Sequence, residues 1–285
     1  MRYFKNTIGK NNAEITFYLH EPSDEIDKNR KYPVMVVVPG GGYMWTSDRE
    51  AEPIALEFFA KDYHVAVVRY CTEGLEAYQS KADLPKEPVS QFPNPLLELA
   101  ETLSLLRENK EKWFIEEDKI SVLGFSAGGN LVGLLGVYWN ENWLEKLVGR
   151  KKASYQPNHI IIAYGALDLT NSQDEESLIS LAITGKLKAG KDDLMRVSPV
   201  YHVNKYTPPA FIWHTGEDPL VEAADSLKFA MAMDEKDRPY ELHIYEKGVH
   251  GVALADSRTS RKENQSNKQA STWVNLLIGW LNAQQ

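Results

Sequence analysis

Ser126 lies in Gly124-Phe125-Ser126-Ala127-Gly128-Gly129, directly after the apolar run Ile120-Ser121-Val122-Leu123 and before the segment Asn130 to Tyr138. Strand, glycine-flanked turn and helix in that order are the setting in which G-x-S-x-G presents a serine hydroxyl at the tip of a strained turn. Side chains at positions 124 and 128 would collide with neighbouring backbone, and Gly129 lets the helix lie close on the sheet. The pentapeptide alone is unspecific, because glycine and serine also share ordinary loops. Its flanking elements and its downstream partners make Ser126 a candidate nucleophile. A hydroxyl attacks only when a positioned base takes its proton, and that base needs a third group to fix its tautomer and stabilise its cation.

The downstream chain offers an acid and then a histidine, the order used with this serine motif. Ala210-Phe211-Ile212-Trp213-His214 reads as a strand that runs into Thr215-Gly216-Glu217-Asp218, and Tyr240 to Tyr245 as another, followed by Glu246-Lys247-Gly248-Val249-His250-Gly251. Both therefore lie just past strand ends, at the same edge of a sheet as Ser126. His250 combines a post-strand loop with flanking glycines, and an ordinary imidazole pKa near 6.5 suits general-base work. His20, His64, His159, His214 and His243 sit in or beside apolar runs and read as packing residues. His202 follows Ser198-Pro199, with no strand end to place it. Among the acids Asp218 ranks first: alternation points one of the Glu217–Asp218 pair away, the short carboxylate after a tight turn is the usual choice, and Asp225 falls inside the next helix. Asp168, after Ile160 to Tyr164, is the rival, because another strand end can reach the same histidine.

Acyl transfer also requires donors aimed at the negative charge that develops on the substrate oxygen. Val34-Met35-Val36-Val37-Val38 leads into Pro39-Gly40-Gly41-Gly42-Tyr43, where bare backbone N–H groups can approach such an oxygen; the other reading is a flexible turn. Tyr43, Met44 and Trp45 beside the glycines could wall an acyl pocket or pack beneath the loop.

The elements that position these residues alternate. Ile15 to Leu19, Val34 to Val38, Val65 to Tyr70, Ile120 to Leu123, His159 to Tyr164, Ala210 to His214 and Glu241 to Tyr245 read as strands. A helix is predicted from Asn94-Pro95, with Asn94 as cap and Leu96, Leu99, Leu103 and Leu106 on one face. Ser47 and Glu50 have capping-box spacing, but Pro53 would then clash inside the helix, so the helix is placed from Pro53 and residues 47–52 in the approach loop. Trp273, Leu276, Leu277, Trp280 and Leu281 define a closing amphipathic helix. Strands alternating with helices imply an α/β fold with a mostly parallel twisted sheet covered on both faces. Residues 72–93 and 170–200 break the alternation. They are expected to form a rim loop and a small cap near the carboxyl ends of the strands, within one domain spanning 1–285.

Composition narrows the partners. The chain has 285 residues and a formal net charge of −8, which argues against nucleic acid or an anionic membrane. Arg150-Lys151-Lys152 reads as a solvated helix end. The single cysteine, Cys71, excludes an intrachain disulfide and is expected to be buried. No Cys/His cluster has zinc spacing, no apolar run approaches a membrane span, and the N-terminus lacks a signal-peptide pattern. The expectation is a cytoplasmic protein without metal or organic cofactor, acting on a small molecule, with a homo-oligomer left open.

Pro39-Gly40-Gly41-Gly42, the serine motif, Trp213 to Asp218, and Glu241 to Tyr245 leading to His250-Gly251 together resemble the α/β-hydrolase esterases over nearly the whole chain. The resemblance is to the acetyl-esterase and acetylxylan-esterase-like branch, near the hormone-sensitive-lipase-type enzymes. It implies the α/β-hydrolase fold, Ser126 as nucleophile, Asp218 as orienting acid and His250 as base. It also implies an oxyanion hole from the N–H groups of Gly41, Gly42 and Ala127. Related lipases carry histidine where this chain has Pro39, which lacks an N–H and would hold the loop by stiffness. The activity implied is hydrolysis of short acyl esters, acetyl first, with a carbohydrate alcohol in view. A peptidase of the prolyl-oligopeptidase type shares the triad order, but its gating domain has no room here. A non-catalytic ligand receptor would be expected to lack a triad member.

Overall fold

Alternate residues of the central strands point to opposite faces of the sheet, and in this chain both sets are apolar. Val34, Val36 and Val38 face one layer while Met35 and Val37 face the other, and all five are 0 % exposed. Such strands need helices on both sides, and the structure, a computed structural model describing residues 1–80 and 87–284, supplies them. The strands are β1 (Arg2–Ile8), β2 (Ala13–Leu19), β3 (Tyr32–Val38), β4 (His64–Arg69), β5 (Ile115–Phe125), β6 (His159–Ala163), β7 (Ala210–Thr215) and β8 (Tyr240–Tyr245). They form one sheet in the order β1-β2-β4-β3-β5-β6-β7-β8. β1 and β2 pair antiparallel, as do β2 and β4, and every other pairing is parallel. β1 has no counterpart in the sequence reading. It is a partly exposed edge strand whose residues do not form an apolar run.

The helices are α1 (Glu52–Phe59), α2 (Leu75–Ser80), α3 (Asn94–Glu108), α4 (Ala127–Tyr138), α5 (Asn142–Val148), α6 (Leu178–Thr184), α7 (Lys191–Arg196), α8 (Ala223–Asp234) and α9 (Trp273–Ala283). α3, α4 and α8 cover one face, and α1 and α9 the other. α3 buries Leu96, Leu99, Leu103 and Leu106 as the spacing predicts. Asn94, however, is the first helical residue and makes no side-chain cap bond. α1 starts one residue before Pro53, which sits in the first turn, where a missing N–H costs nothing. α9 buries Trp273, Leu277, Trp280 and Leu281 but leaves Leu276 exposed and buries Val274 in its stead, so its apolar stripe is shifted from the expected one. Cys71 is only partly buried, and that burial pushes its thiol up to about 12.

Both irregular segments contain helix. α2 lies in residues 72–93, and α6 and α7 lie in 170–200. The two lean on each other: Phe92 N–H donates to the Ile183 carbonyl, and Ser90 Oγ to that of Ala182. The part of the first segment at residues 81–86 lies outside the described residues. Among the described residues no helix is long and apolar enough to cross a membrane.

Candidate active site

β5 delivers Ser126 to the carboxyl edge of the sheet, and the chain reverses into α4 within one residue. Ser126 pays for that turn with φ 52° and ψ −118°, a conformation that costs a side-chain-bearing residue about 1–3 kcal/mol. Its N–H is tied to the Ala163 carbonyl of the adjacent strand at 3.0 Å. The flanking glycines are required by contact: a Cβ on Gly124 would come within 2.1 Å of the Gly128 oxygen, and one on Gly128 within 2.2 Å of the Val38 oxygen.

Strands β7 and β8 bring the partners. His250 Nε2 is 2.8 Å from Ser126 Oγ, and His250 Nδ1 is 2.6 Å from Asp218 Oδ2. The carboxylate can only accept, so Nδ1 carries the proton and Nε2 keeps its lone pair for the serine hydroxyl. The Asp218 side chain is fully buried, and four donors converge on it. Oδ2 takes His250 and His214, and Oδ1 takes the N–H groups of Leu220 and Val221 at 2.9 and 3.0 Å. Burial alone would raise this carboxyl, but the hydrogen bonds of His214 and His250 outweigh it and hold the group well below the usual carboxylate range.

His214 packs inside the fold as its apolar neighbours predict, and it is 0 % exposed. It also touches the acid, with Nε2 at 3.2 Å from Asp218 Oδ2 and 3.0 Å from the Val221 carbonyl, while Nδ1 meets Ser226 Oγ at 2.8 Å. Its i, i+4 spacing from Asp218 across a turn was the only sequence signal. The rival acids go elsewhere. Asp168 pairs with Lys228 and accepts from Thr170 and Tyr201, and Asp225 in α8 accepts the N–H groups of Leu167 and Asp168. His202 bonds the Met195 carbonyl, away from the serine.

The glycine loop after β3 lies beside Ser126. Gly41, Gly42, Ser126 and His250 border one cleft of about 390 Å³, whose walls include Met44, Trp45, Ile179, Leu220 and Val221 and, on the side of the His250 loop, Arg49 and Glu50. Gly41 has φ +132°, and a Cβ there would sit 2.0 Å from the Trp45 oxygen, so the tight loop admits glycine alone. The N–H groups of Gly41, Gly42 and Ala127 have no acceptor among the described residues. Of the three aromatic-loop residues, Tyr43 is core. It is 2 % exposed and its hydroxyl donates to Asn130 Oδ1 at 2.7 Å, fastening the loop to α4. Met44 and Trp45 face the cleft. No described residue of 72–93 borders it, whereas α6 contributes Ile179.

Glu50 is the residue that sequence reasoning missed. It is 4 % exposed, and its Oε2 accepts the Gly40 N–H while Oε1 accepts the Tyr164 hydroxyl, both at 2.8 Å. Its spacing from Ser47 suggested a cap, but Ser47 makes no side-chain cap bond. A carboxylate in a short polar stretch gives no sign that it will be buried against a loop ten residues earlier.

Comparison with known proteins agrees with this architecture. A carboxylesterase of Lactobacillus plantarum has a solved structure that superposes with a TM-score of 0.86 at 26 % identity, covering 100 % of this chain and 98 % of that one. An acetyl ester-xyloside bifunctional hydrolase of Caldicellulosiruptor lactoaceticus gives a TM-score of 0.75 at 25 % identity, covering 96 % and 89 %. An endo-1,4-β-xylanase B of Butyrivibrio fibrisolvens is 27 % identical over 239 residues, 84 % of this chain but 34 % of its own length. A mycobacterial esterase matches over 47 % of its length, so the chain spans half or less of these curated relatives. Residues 22–233 match the family described as BD-FAE, and the chain belongs to that family on the α/β-hydrolase fold.

Proposed function

We propose that the protein is a serine carboxylic-ester hydrolase that removes short acyl groups, acetyl first, from a carbohydrate or similar alcohol. The observation that carries this reading is the unbroken relay from Asp218 through His250 to Ser126, with links of 2.6 and 2.8 Å, opening into a cleft bordered by Gly41 and Gly42. Ser126 Oγ attacks the acyl carbonyl while His250 Nε2 takes its proton. The carbonyl oxygen gains negative charge, which the N–H groups of Gly41, Gly42 and Ala127 receive. His250 then gives the proton to the departing alcohol. Water enters, loses a proton to His250 and attacks the acyl-serine; as the bond from the acyl carbon to Oγ breaks and the acid leaves, His250 returns the proton to Ser126 Oγ. Asp218 stays ionised and steadies the imidazolium. The acetyl and carbohydrate parts of the reading draw on the xylan-related proteins the chain is similar to.

The test is Ser126→Ala, which should abolish nearly all hydrolysis of p-nitrophenyl acetate with the thermal transition unchanged. An organophosphonate should add to Ser126 in the wild type, seen as a mass shift on its peptide. An active alanine variant, or label on another residue, would refute the assignment.

A further inference from the structure

Arg49 and Glu50 are consecutive, and between them they reach both loops that must be registered for acyl transfer. Glu50 Oε2 holds the Gly40 N–H at 2.8 Å, immediately before Gly41 and Gly42. Glu50 Oε1 accepts the Tyr164 hydroxyl at 2.8 Å, and that hydroxyl oxygen accepts the Ala253 N–H at 3.0 Å, three residues after His250. The Tyr164 ring meets the His250 ring edge-on, with centroids 5.2 Å apart. Arg49 donates to the carbonyls of Gly251 and Thr259, each at 2.6 Å. The histidine loop needs such ties, because Gly251, Ala253 and Ala255 all have φ between +53° and +70°. For the two alanines that conformation is strained and survives only when neighbours over-determine it.

The donors also fix the state of Glu50. Both groups that meet it give a hydrogen, so it accepts twice and acts as a carboxylate. Burial raises its pKa, opposed by the Tyr164 and Gly40 hydrogen bonds and by the nearby His250 and Arg49 charges. Burying a carboxylate is costly unless it is hydrogen-bonded, and here both oxygens are engaged by the two loops.

We propose that Glu50 is a positioning residue for the acyl-transfer reaction, a clasp that sets the distance between the glycine loop and the His250 loop through Gly40 and Tyr164. Glu50 borders the cleft, but both its oxygens are spent on Gly40 and Tyr164, and Ser126 Oγ bonds His250. The effect of Glu50 is on the alignment of donors and base in the transition state, more than on binding of the ground state. The inference rests on the esterase reading above.

Three variants test it: Glu50→Ala removes both arms, Glu50→Gln keeps one acceptor, and Tyr164→Phe cuts only the arm to the histidine loop. Misplacement of reacting groups by roughly 1 Å costs about a hundred-fold. Glu50→Ala should therefore lower kcat by about that factor with KM within about threefold of wild type. Glu50→Gln and Tyr164→Phe should each lose roughly tenfold. Phosphonate addition to Ser126 should slow in the same order. Should Glu50→Ala fail to fold, the two milder variants carry the test. Unchanged kcat in folded variants, or a raised KM with kcat intact, overturns the proposal. A wild type that neither cleaves esters nor takes the phosphonate would instead sink the esterase reading.

Discussion

Asp218 and Asp168 follow neighbouring strands, and residue type alone does not separate them. Their surroundings do. Asp168 spends its oxygens on Lys228, Thr170 and Tyr201, whereas Asp218 faces two imidazoles and two backbone N–H groups. An asparagine at 218 would offer His250 an amide that can donate, which favours the wrong tautomer. We expect Asp218→Asn to lower turnover by about ten-thousand-fold, the size of the equivalent change in a serine protease. Asp168→Asn should leave turnover within about a factor of ten and cost on the order of 1 kcal/mol of stability, since the Lys228 end of its ion pair is partly exposed. Steady-state kinetics of the two variants on p-nitrophenyl acetate decides, and the reverse ranking would move the orienting role to Asp168.

At the scale of elements, the proposed preference for short acyl groups follows from where α6 rests. It brings Ile179 into the cleft against the glycine loop, where a Cβ on Gly42 would lie 3.4 Å from Ile179 Cγ1. On the proposed reading, an acyl chain longer than acetyl meets this side chain. We therefore expect kcat/KM to be higher for p-nitrophenyl acetate than for butyrate, and octanoate to be nearly inert. Each methylene that finds room contributes about 0.8 kcal/mol, roughly fourfold in kcat/KM. Ile179→Ala should accordingly raise the butyrate-to-acetate ratio by up to about fifteenfold. A series that rises from acetate to octanoate in the wild type would instead indicate a lipase-like pocket, with the relay at Ser126 unaffected. Where acetate wins, comparing acetylated sugars with alkyl acetates tests whether residues near the cleft recognise carbohydrate.

For the molecule as a whole, buried imidazoles contribute to the loss of stability between neutral and mildly acid pH, above the range in which lowered carboxylates such as Asp218 and Asp168 act. His64 is 0 % exposed, accepts the His20 N–H at Nδ1 and meets the Trp113 carbonyl at Nε2. Burial lowers its pKa to about 4. The same cause lowers His20 and His159. Between about 6.5 and 4 the unfolded chain binds a proton that folded His64 refuses, so its contribution is intact above this window and is lost as pH falls through it. The buried acids Glu50, Glu98 and Asp225, whose pKa values are raised by burial, act in the opposite sense. A difference measurement removes them. Relative to His64→Gln, the wild type should lose about 2 kcal/mol between pH 7.5 and pH 5, several degrees in Tm. A gap in Tm that stays constant across that range would show that His64 does not bear this cost.

The sequence by itself determined what local pattern can encode. Apolar runs located β2 to β8 and, with them, a mostly parallel sheet. The glycine-flanked turn marked Ser126, and loops after predicted strands marked Asp218 and His250, because strand ends on one sheet edge converge wherever the order of strands permits. Tertiary structure decided the rest. β1 became visible only by pairing with β2, since an exposed edge strand carries no continuous apolar signal. His214 and Glu50 gained their contacts to the acid and to the glycine loop from folding, as did Tyr164 its place between Glu50 and Ala253. A hydrogen bond spanning 114 residues, like that from Tyr164 to Glu50, leaves no periodicity in a single chain. Its residue types become legible only when packing removes the water that would otherwise satisfy them.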